Sequence, residues 1–168
     1  MLSINTPRLL LRTPRPEDLD AIASQWGDRE GGKYMPDPYY TSGAEIAEIL
    51  EEDPDCPVYY FAAFRVGEDA LMGTCSLGFE NAGAKEYSIG YSVKKEYWGN
   101  GYAGEMIQAL INFARGLGIT VITAPVAKEN KASNRVMEKC GFVVAGESSF
   151  KKSGTDIVYP SFIYKLVL

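Results

Sequence analysis

Three glycines between Glu96 and Met106 have the spacing of a phosphate-binding turn. The segment reads EYWGNGYAGEM and contains Gly99-x-Gly101-x-x-Gly104. A glycine-rich turn that leads into a helix presents free main-chain N–H groups and the positive end of the helix dipole, which attract a pyrophosphate. The missing side chains let the phosphate approach the main chain. Spacing alone leaves two alternatives open: an anion site, or a turn that only needs small residues.

An NAD site is one use of such glycines, but the rest of the chain argues against it. A dinucleotide-binding fingerprint places Asp or Glu about 20 residues further on, at the end of the next strand. The corresponding segment, ITVITAPV at 119–126, contains no acid. A second segment, Gly27-x-x-x-x-Gly32-Lys33, is similar to a P-loop, but Tyr34 replaces the magnesium-binding Ser or Thr. The sequence therefore predicts neither an NAD site nor a P-loop.

The chain contains no histidine, which limits the chemistry available to it. Ser-His-Asp and Cys-His nucleophiles, H-E-x-x-H metal sites and imidazole general bases are all excluded. Proton transfer must use carboxylates, tyrosine, cysteine, serine or water. We expect no metal site, and a reaction in which positioning of the reactants contributes most.

Size and charge are typical of one globular domain, residues 1–168. The chain has 168 residues, 46% of them hydrophobic, and 17 Lys and Arg against 22 Asp and Glu give a net charge of −5. There is no basic run, so we expect no nucleic-acid partner. No long apolar stretch or signal-peptide core is present, and Cys56, Cys75 and Cys140 contain no C-x-x-C pair. We expect a cytoplasmic protein with reduced thiols and no membrane partner.

The elements that must position the glycine turn form a mixed α/β (α+β) pattern, β-α-α-β-β-β-α-β-α-β-β. Helices are predicted after Pro16, after a Ser42/Glu45 capping box, and directly after the glycine turn, where a buried face runs from Ala103 to Leu117. A fourth, short helix is predicted at 133–140. Strands are predicted at 8–13, 58–66, 70–79, 86–93, 119–126, 142–150 and 156–168.

Two segments resemble the cofactor motifs of the GNAT superfamily of acetyl-CoA-dependent N-acetyltransferases, especially the branch that includes the ribosomal-protein N-terminal acetyltransferases. In SIGYSVKKEYWGNGYAGEMIQAL, Trp98 to Ala103 occupy the Q/R-x-x-G-x-G/A turn, with Trp98 at the Gln/Arg position. In PVAKENKASNRVMEKCGF, Asn130-x-x-Ser133 and the run EKCGF at 138–142 match the second motif. The weaker similarity of TPRLLLRTPRPEDLD extends the resemblance over most of the chain.

The resemblance implies a single GNAT-like domain with a twisted, mostly antiparallel sheet of six to seven strands and about four helices on its faces. Its two central parallel strands, EYSIGYSV and ITVITAPV, splay apart so that the pantetheine arm of acetyl-CoA enters between them. Ser92 and Val93 offer main-chain hydrogen bonds to that arm, and Ser133 contacts it. Asn130 fixes the loop and contacts the arm; the alternative is that Asn130 only shapes the turn. The pyrophosphate of coenzyme A lies on the turn formed by Trp98, Gly99, Asn100, Gly101, Tyr102, Ala103 and Gly104.

Amide formation from a thioester needs a neutral amine near the carbonyl, a donor that polarises the carbonyl, and a proton for the departing thiolate. The resemblance implies that Ser133 supplies this proton, directly or through water; the alternative is that Ser133 only caps a helix. Many relatives carry Glu where Ser88 stands. Glu86, on the same strand face, could replace that base through water, or it is a solvated carboxylate.

The absence of a strong general base indicates which kind of amine could be the acceptor. An α-amino group has a pKa of about 8 and a lysine side chain about 10.4, so a site without a strong base suits an N-terminal or otherwise weakly basic amine. We expect a protein or peptide N-terminus or a small amine as partner, and a monomer or homodimer. A catalytically silent acyl-CoA-binding module is the alternative. The following aromatic residues could line an acceptor pocket: Trp26, Tyr34, Tyr39, Tyr40 and Tyr59.

Overall fold

A computed structural model describes residues 1–51, 57–81 and 85–168 of the chain. The helices in these ranges are α1 (Leu19–Trp26), α2 (Gly43–Ile49), α3 (Tyr102–Gly116) and α4 (Lys131–Lys139). The strands are β1 (Ser3–Asn5), β2 (Leu9–Arg12), β3 (Val58–Arg65), β4 (Leu71–Asn81), β5 (Glu86–Val93), β6 (Val121–Ala127), β7 (Val143–Lys151) and β8 (Val158–Val167).

All eight described strands form one mixed sheet in the order β1-β2-β3-β4-β5-β6-β8-β7. Every neighbouring pair is antiparallel except β5 and β6, which run parallel. The predicted mixed, mostly antiparallel sheet and its closing hairpin are confirmed. The expected number of six to seven strands was too low, because β1 pairs with β2 from Ser3↔Arg12 to Asn5↔Leu10. A strand of three residues is too short to show the alternation by which strands are found in a sequence.

The two parallel strands separate after a short ladder, as predicted. Their pairing covers three residue pairs, from Glu86↔Val121 to Ser88↔Thr123. Beyond this point β5 stays paired with β4 up to Val93, and β6 stays paired with β8 up to Ala127. A gap therefore opens between residues 89–93 of β5 and residues 124–127 of β6. We call it the splay gap.

The sheet separates two hydrophobic clusters, and the side chains of β3 alternate between them. Phe61 and Ala63 pack in the cluster that contains α3, whereas Ala62 and Phe64 pack in the cluster that contains α1 and α2. Met106, Ile107, Leu110 and Ala114 of α3 are buried, as predicted. Leu117 was also expected on that face, but it is 44% exposed because α3 ends at Gly116. None of the described helices combines the length and apolar character needed to cross a membrane.

The segment between α1 and α2 is held by a lysine from the other end of the chain. Lys152, fully buried after β7, donates through Nζ to the carbonyls of Gly32 (2.8 Å), Met35 (3.0 Å) and Asp37 (2.8 Å). The ammonium group also lies 4.1 Å from the ring centre of Tyr39. At the end of the same segment, Ser42 and Glu45 form the predicted capping box of α2. These contacts fix the cover over the α1 side of the sheet.

Candidate functional site

The glycine turn has a shape that only glycine adopts readily. Gly99 and Gly101 have φ of +76° and +78°, in the left-handed region, and Gly101 is the N-cap of α3. A Cβ atom placed on Gly99 or Gly104 would have no atom within 4 Å, so the main chain is approachable there. The first main-chain bond of α3 runs from Glu105 N–H to Gly101 O, and the N–H groups of residues 102–104 precede it. These groups can bind an anion.

Two side chains of the turn hold its conformation. The Asn100 amide donates to the carbonyls of Tyr97 (3.1 Å) and Trp98 (2.9 Å). The indole N–H of Trp98 donates to Val93 O at 2.6 Å and so ties the turn to the end of β5. Asn100 and Trp98 therefore shape the turn and connect it to the splay gap.

A network from the N-terminal hairpin supports the start of α3. The Glu105 carboxylate accepts from Thr6 Oγ1 (2.6 Å), Arg8 N (3.0 Å) and Arg8 Nε (2.6 Å). Burial raises the pKa of Glu105, but the hydrogen bonds from Thr6 and Arg8 outweigh it, and the net pKa lies below the usual 4.5. Arg8 Nη1 also donates to Asn100 O at 2.9 Å, and its guanidinium lies over the Tyr102 ring. Arg8, which sequence reasoning missed, thus ties the N-terminal hairpin to the turn and to Glu105, with which it forms an ion pair.

Main-chain groups of β5 face the splay gap at alternate residues. Lys94 N–H donates to Met72 O on β4, so the alternation of the strand turns the main chain of Val93 toward the gap and that of Ser92 toward β4. The same alternation directs Ile89 and Tyr91 to the gap, two residues that sequence reasoning did not select. The Ser92 hydroxyl accepts from Gln25 Nε2 at 2.9 Å. An arm in the gap would therefore meet Val93 rather than Ser92.

The second motif places a pair of hydroxyls at this gap. Asn130 is the N-cap of α4, and its Oδ1 accepts from Ser133 N–H at 3.1 Å. The Ser133 hydroxyl lies 2.6 Å from the hydroxyl of Tyr91 on β5. Burial raises the pKa of Tyr91 to about 12, although the hydrogen bond with Ser133 works in the opposite direction. Tyr91 was missed because its partner is 42 residues away, but its place within SIGYSV was a usable signal.

Glu86 lies apart from this pair. It begins β5, opposite Val121, within the paired part of the ladder. Tyr91 is five residues further on, about 17 Å along an extended strand, and its side chain points to the other face of the sheet. Ser88 shares the face of Glu86, as predicted. The structure thus brings Ser133 together with Tyr91 and does not bring it together with Glu86.

The aromatic residues considered for an acceptor pocket are divided between the two faces of the sheet. Trp26 contacts Tyr40 and donates from Nε1 to Thr74 Oγ1 on the α1 side. Tyr59 packs edge-on against Phe113 of α3, on the opposite side. Tyr34 contacts Tyr159, and Tyr39 lies under Lys152 and Arg29. These aromatic rings therefore do not line a single pocket.

The described cysteines are unpaired thiols in packed surroundings. Burial raises the pKa of both Cys75 and Cys140. The Cys140 sulfur lies 3.9 Å from Gly104 O, between α4 and α3. Cys56 lies outside the described residues. A raised pKa disfavours the thiolate, so neither described cysteine has the surroundings of a nucleophile.

Comparison with known proteins agrees with this geometry. A family profile described as "Acetyltransferase (GNAT) domain" matches residues 8–143. The uncharacterized N-acetyltransferase p20 of Bacillus licheniformis is 28% identical over 151 residues, which cover 87% of this chain and 85% of that protein.

Two solved structures share the whole fold. The spermidine N-acetyltransferase of Vibrio cholerae, solved with CoA and spermine, superposes with a TM-score of 0.82 at 22% identity, covering 96% of each chain. The ribosomal-protein-S5-alanine acetyltransferase of Vibrio fischeri superposes with a TM-score of 0.79 at 18% identity, covering 99% of this chain and 97% of that one. With the glycine turn, the splay gap and the matching family profile in place, this chain belongs to the GNAT family of acetyltransferases and is an acetyl-CoA-dependent acyltransferase.

Proposed function

We propose that this chain transfers the acetyl group of acetyl-CoA directly to a primary amine, either a protein or peptide N-terminal α-amine or a small amine. One observation carries the proposal: the anion-binding turn, the splay gap and the Ser133 hydroxyl are connected through β5. Val93 joins the turn by accepting from Trp98, and Tyr91, two residues earlier, contacts Ser133. A ligand with a diphosphate at one end and a thioester at the other fits this arrangement.

The turn and the gap hold the two halves of coenzyme A. The N–H groups of residues 102–104 donate to the pyrophosphate, and the positive end of the α3 dipole attracts it. Gly99 and Gly101 give the turn its left-handed conformation. Val93 donates its main-chain N–H to the pantetheine arm, as an edge strand does to an extended ligand. Asn130 fixes the start of α4 beside that arm.

Ser133 supplies the proton in the transfer step. The amine nitrogen forms a bond to the acetyl carbon while the carbon–sulfur bond breaks. The Ser133 hydroxyl donates its proton to the departing thiolate and takes one back from water, which has received the proton of the amine. The amine loses its own proton to water, with Glu86 as the final base. Capping of α4 does not need the Ser133 hydroxyl, because the Asn130 side chain takes that role. The hydroxyl is therefore available for chemistry.

The distance of Glu86 from Ser133 bears on the choice of acceptor. A base that acts only through water suits an amine that is already partly neutral, and an α-amine with a pKa of about 8 meets this requirement better than a lysine side chain at about 10.4. The two GNAT structures compared above are named for a polyamine and for a ribosomal-protein alanine. The fold therefore serves both classes, and the acceptor must be found by experiment.

A thiol-release assay with acetyl-CoA and a panel of amines tests the proposal. The panel contains peptides with a free N-terminus and no lysine, the same peptides with an acetylated N-terminus and an added lysine, and small amines such as spermidine. We expect turnover with the free N-terminus or a weakly basic small amine, and little with lysine. CoA binding without turnover on any amine would identify a silent binding module instead. Ser133→Ala should lower kcat more than CoA affinity; a lower melting temperature with unchanged kcat would assign Ser133 a structural role.

A further inference from the structure

We propose that Tyr91 is a positioning residue for Ser133: its phenol O–H donates to Ser133 Oγ and directs the Ser133 hydrogen toward the sulfur atom of coenzyme A. The inference rests on the proposed function, because it takes Ser133 as the proton donor. Its basis is the distance of 2.6 Å between the two hydroxyl oxygens across the splay gap. At that distance one hydroxyl donates and the other accepts.

The direction of this hydrogen bond decides what Ser133 can do. If Ser133 donated to Tyr91, its only hydrogen would be used within the pair and none would be left for the thiolate. A phenol is a stronger acid than an aliphatic alcohol, so Tyr91 is the better donor and Ser133 the better acceptor. The Ser133 hydrogen then points away from Tyr91. As that hydrogen leaves, the bond from Tyr91 stabilises the negative charge that develops on Ser133 Oγ.

The Tyr91 ring is fixed well enough to set this direction. Tyr91 lies opposite Cys75 in the β4–β5 ladder, and its ring packs against the hydrophobic cluster around α3. Burial raises the pKa of Tyr91 to about 12, so the phenol keeps its proton at neutral pH. On the other side of the pair, the Ser133 main chain is held by Asn130. Both hydroxyls are therefore attached to fixed backbone before any ligand binds.

The test compares Tyr91→Phe, Ser133→Ala and the double variant. Tyr91→Phe keeps the ring and removes only the hydroxyl, so we expect kcat to fall about 10-fold, the worth of one hydrogen bond of this kind, with the KM for acetyl-CoA nearly unchanged and a fall in melting temperature no larger than that of the control variant Tyr164→Phe. Because Tyr91 acts through Ser133, the double variant should be no slower than Ser133→Ala alone. A kcat equal to wild type in Tyr91→Phe, or fully additive losses in the double variant, would overturn the inference.

Tyr164→Phe is the matched control. Tyr164 on β8 is buried, and its hydroxyl donates at 2.9 Å to Asn134 Oδ1 of α4, the helix that carries Ser133. Loss of this hydroxyl should lower the melting temperature and leave kcat within about twofold, since the bond does not involve Ser133. An equal loss of kcat in Tyr164→Phe and Tyr91→Phe would show that anchoring of α4 in general, and not Tyr91, sets the rate.

A second measurement does not depend on turnover. The thiol of CoA is titrated in the complex by its thiolate absorbance, with the CoA-free protein subtracted because Cys140 is nearby. A hydrogen-bond donor at the sulfur favours the thiolate and so lowers the pKa of the thiol. Because Tyr91 directs the Ser133 hydrogen toward the sulfur, the pKa of the bound thiol should be higher in Tyr91→Phe than in wild type. If wild type transfers to no amine but the thiol pKa depends on Tyr91, the proposed function fails and the positioning role stands. An unchanged thiol pKa refutes the positioning role, and a wild type that binds no CoA refutes both.

Discussion

Replacement of Gly101 by alanine tests whether the glycine turn binds the pyrophosphate. Gly101 has a φ of +78°, and a Cβ atom there would meet only Arg8 Nη2, at 3.7 Å. The added atom therefore fits without a clash. The left-handed conformation, however, is unfavourable for alanine and lowers the free energy of unfolding by about 1–2 kcal/mol. For a chain of this size, that corresponds to a fall in melting temperature of about 2–8 °C.

Gly67→Ala provides the same strain away from the site. Gly67 lies in the β3–β4 turn with a φ of +83°, and a Cβ atom there would have no neighbour within 4 Å. Both variants should lose similar stability. Only Gly101→Ala should lose CoA affinity, because a shift of the turn misaligns the N–H groups of residues 102–104. The loss of one hydrogen bond to a charged phosphate, about 1.5–3 kcal/mol, lowers the affinity about 10- to 150-fold.

Isothermal titration with CoA and thermal unfolding give the two quantities. The expected result is a common fall in melting temperature and a large loss of affinity confined to Gly101→Ala. Wild-type affinity in Gly101→Ala would refute the assignment of the turn. Equal losses of affinity in the two variants would mean that instability, and not the turn, weakens binding.

Two further predictions concern the contacts that hold the site. Glu105→Gln should lower the melting temperature at pH 7, because the carboxylate that binds Thr6 and Arg8 is lost. Since the folded state lowers the pKa of Glu105, this contribution is fully present above pH 4.5 and disappears as the pH falls through the folded pKa. The melting temperatures of variant and wild type should therefore converge as the pH is lowered below that pKa. Lys152→Met should destabilise the chain by about 2–4 kcal/mol, because three carbonyls lose the buried ammonium that donates to them. Limited proteolysis of Lys152→Met should then cut faster between residues 28 and 41. The control Lys151→Met removes an exposed ion pair with Asp156 and should change neither the stability nor the rate of proteolysis.

The sequence predicted those parts of the fold that leave a pattern among neighbouring residues. The apolar period of α3, the capping box at Ser42 and Glu45, and the alternation in the strands are all visible within a few residues. The two motifs then identified the splayed pair through the family resemblance. Strand β1 was not predicted, because three residues are too few to show a period. Leu117 was wrongly predicted to be buried, because the apolar period runs one residue past the end of α3.

The contacts that complete the site could not be predicted, because they join segments that are far apart in sequence. Arg8 meets Glu105 across 97 residues, and Tyr91 meets Ser133 across 42. Such pairs leave no periodic trace in a single sequence. Glu86 is a different case: its residue type suits a base, but the register of β5 and β6, which the sequence does not show, places it in the paired part of the ladder, so that it could act only through water.

The buried ammonium of Lys152 also sets an order of events during synthesis. The carbonyls of Gly32, Met35 and Asp37 leave the ribosome more than a hundred residues before their common donor. The segment between α1 and α2 therefore stays unanchored in the nascent chain until the last hairpin has emerged. A chain that stops short of Lys152 would keep the complete glycine turn and both cofactor motifs, yet it would lack the anchor of this segment.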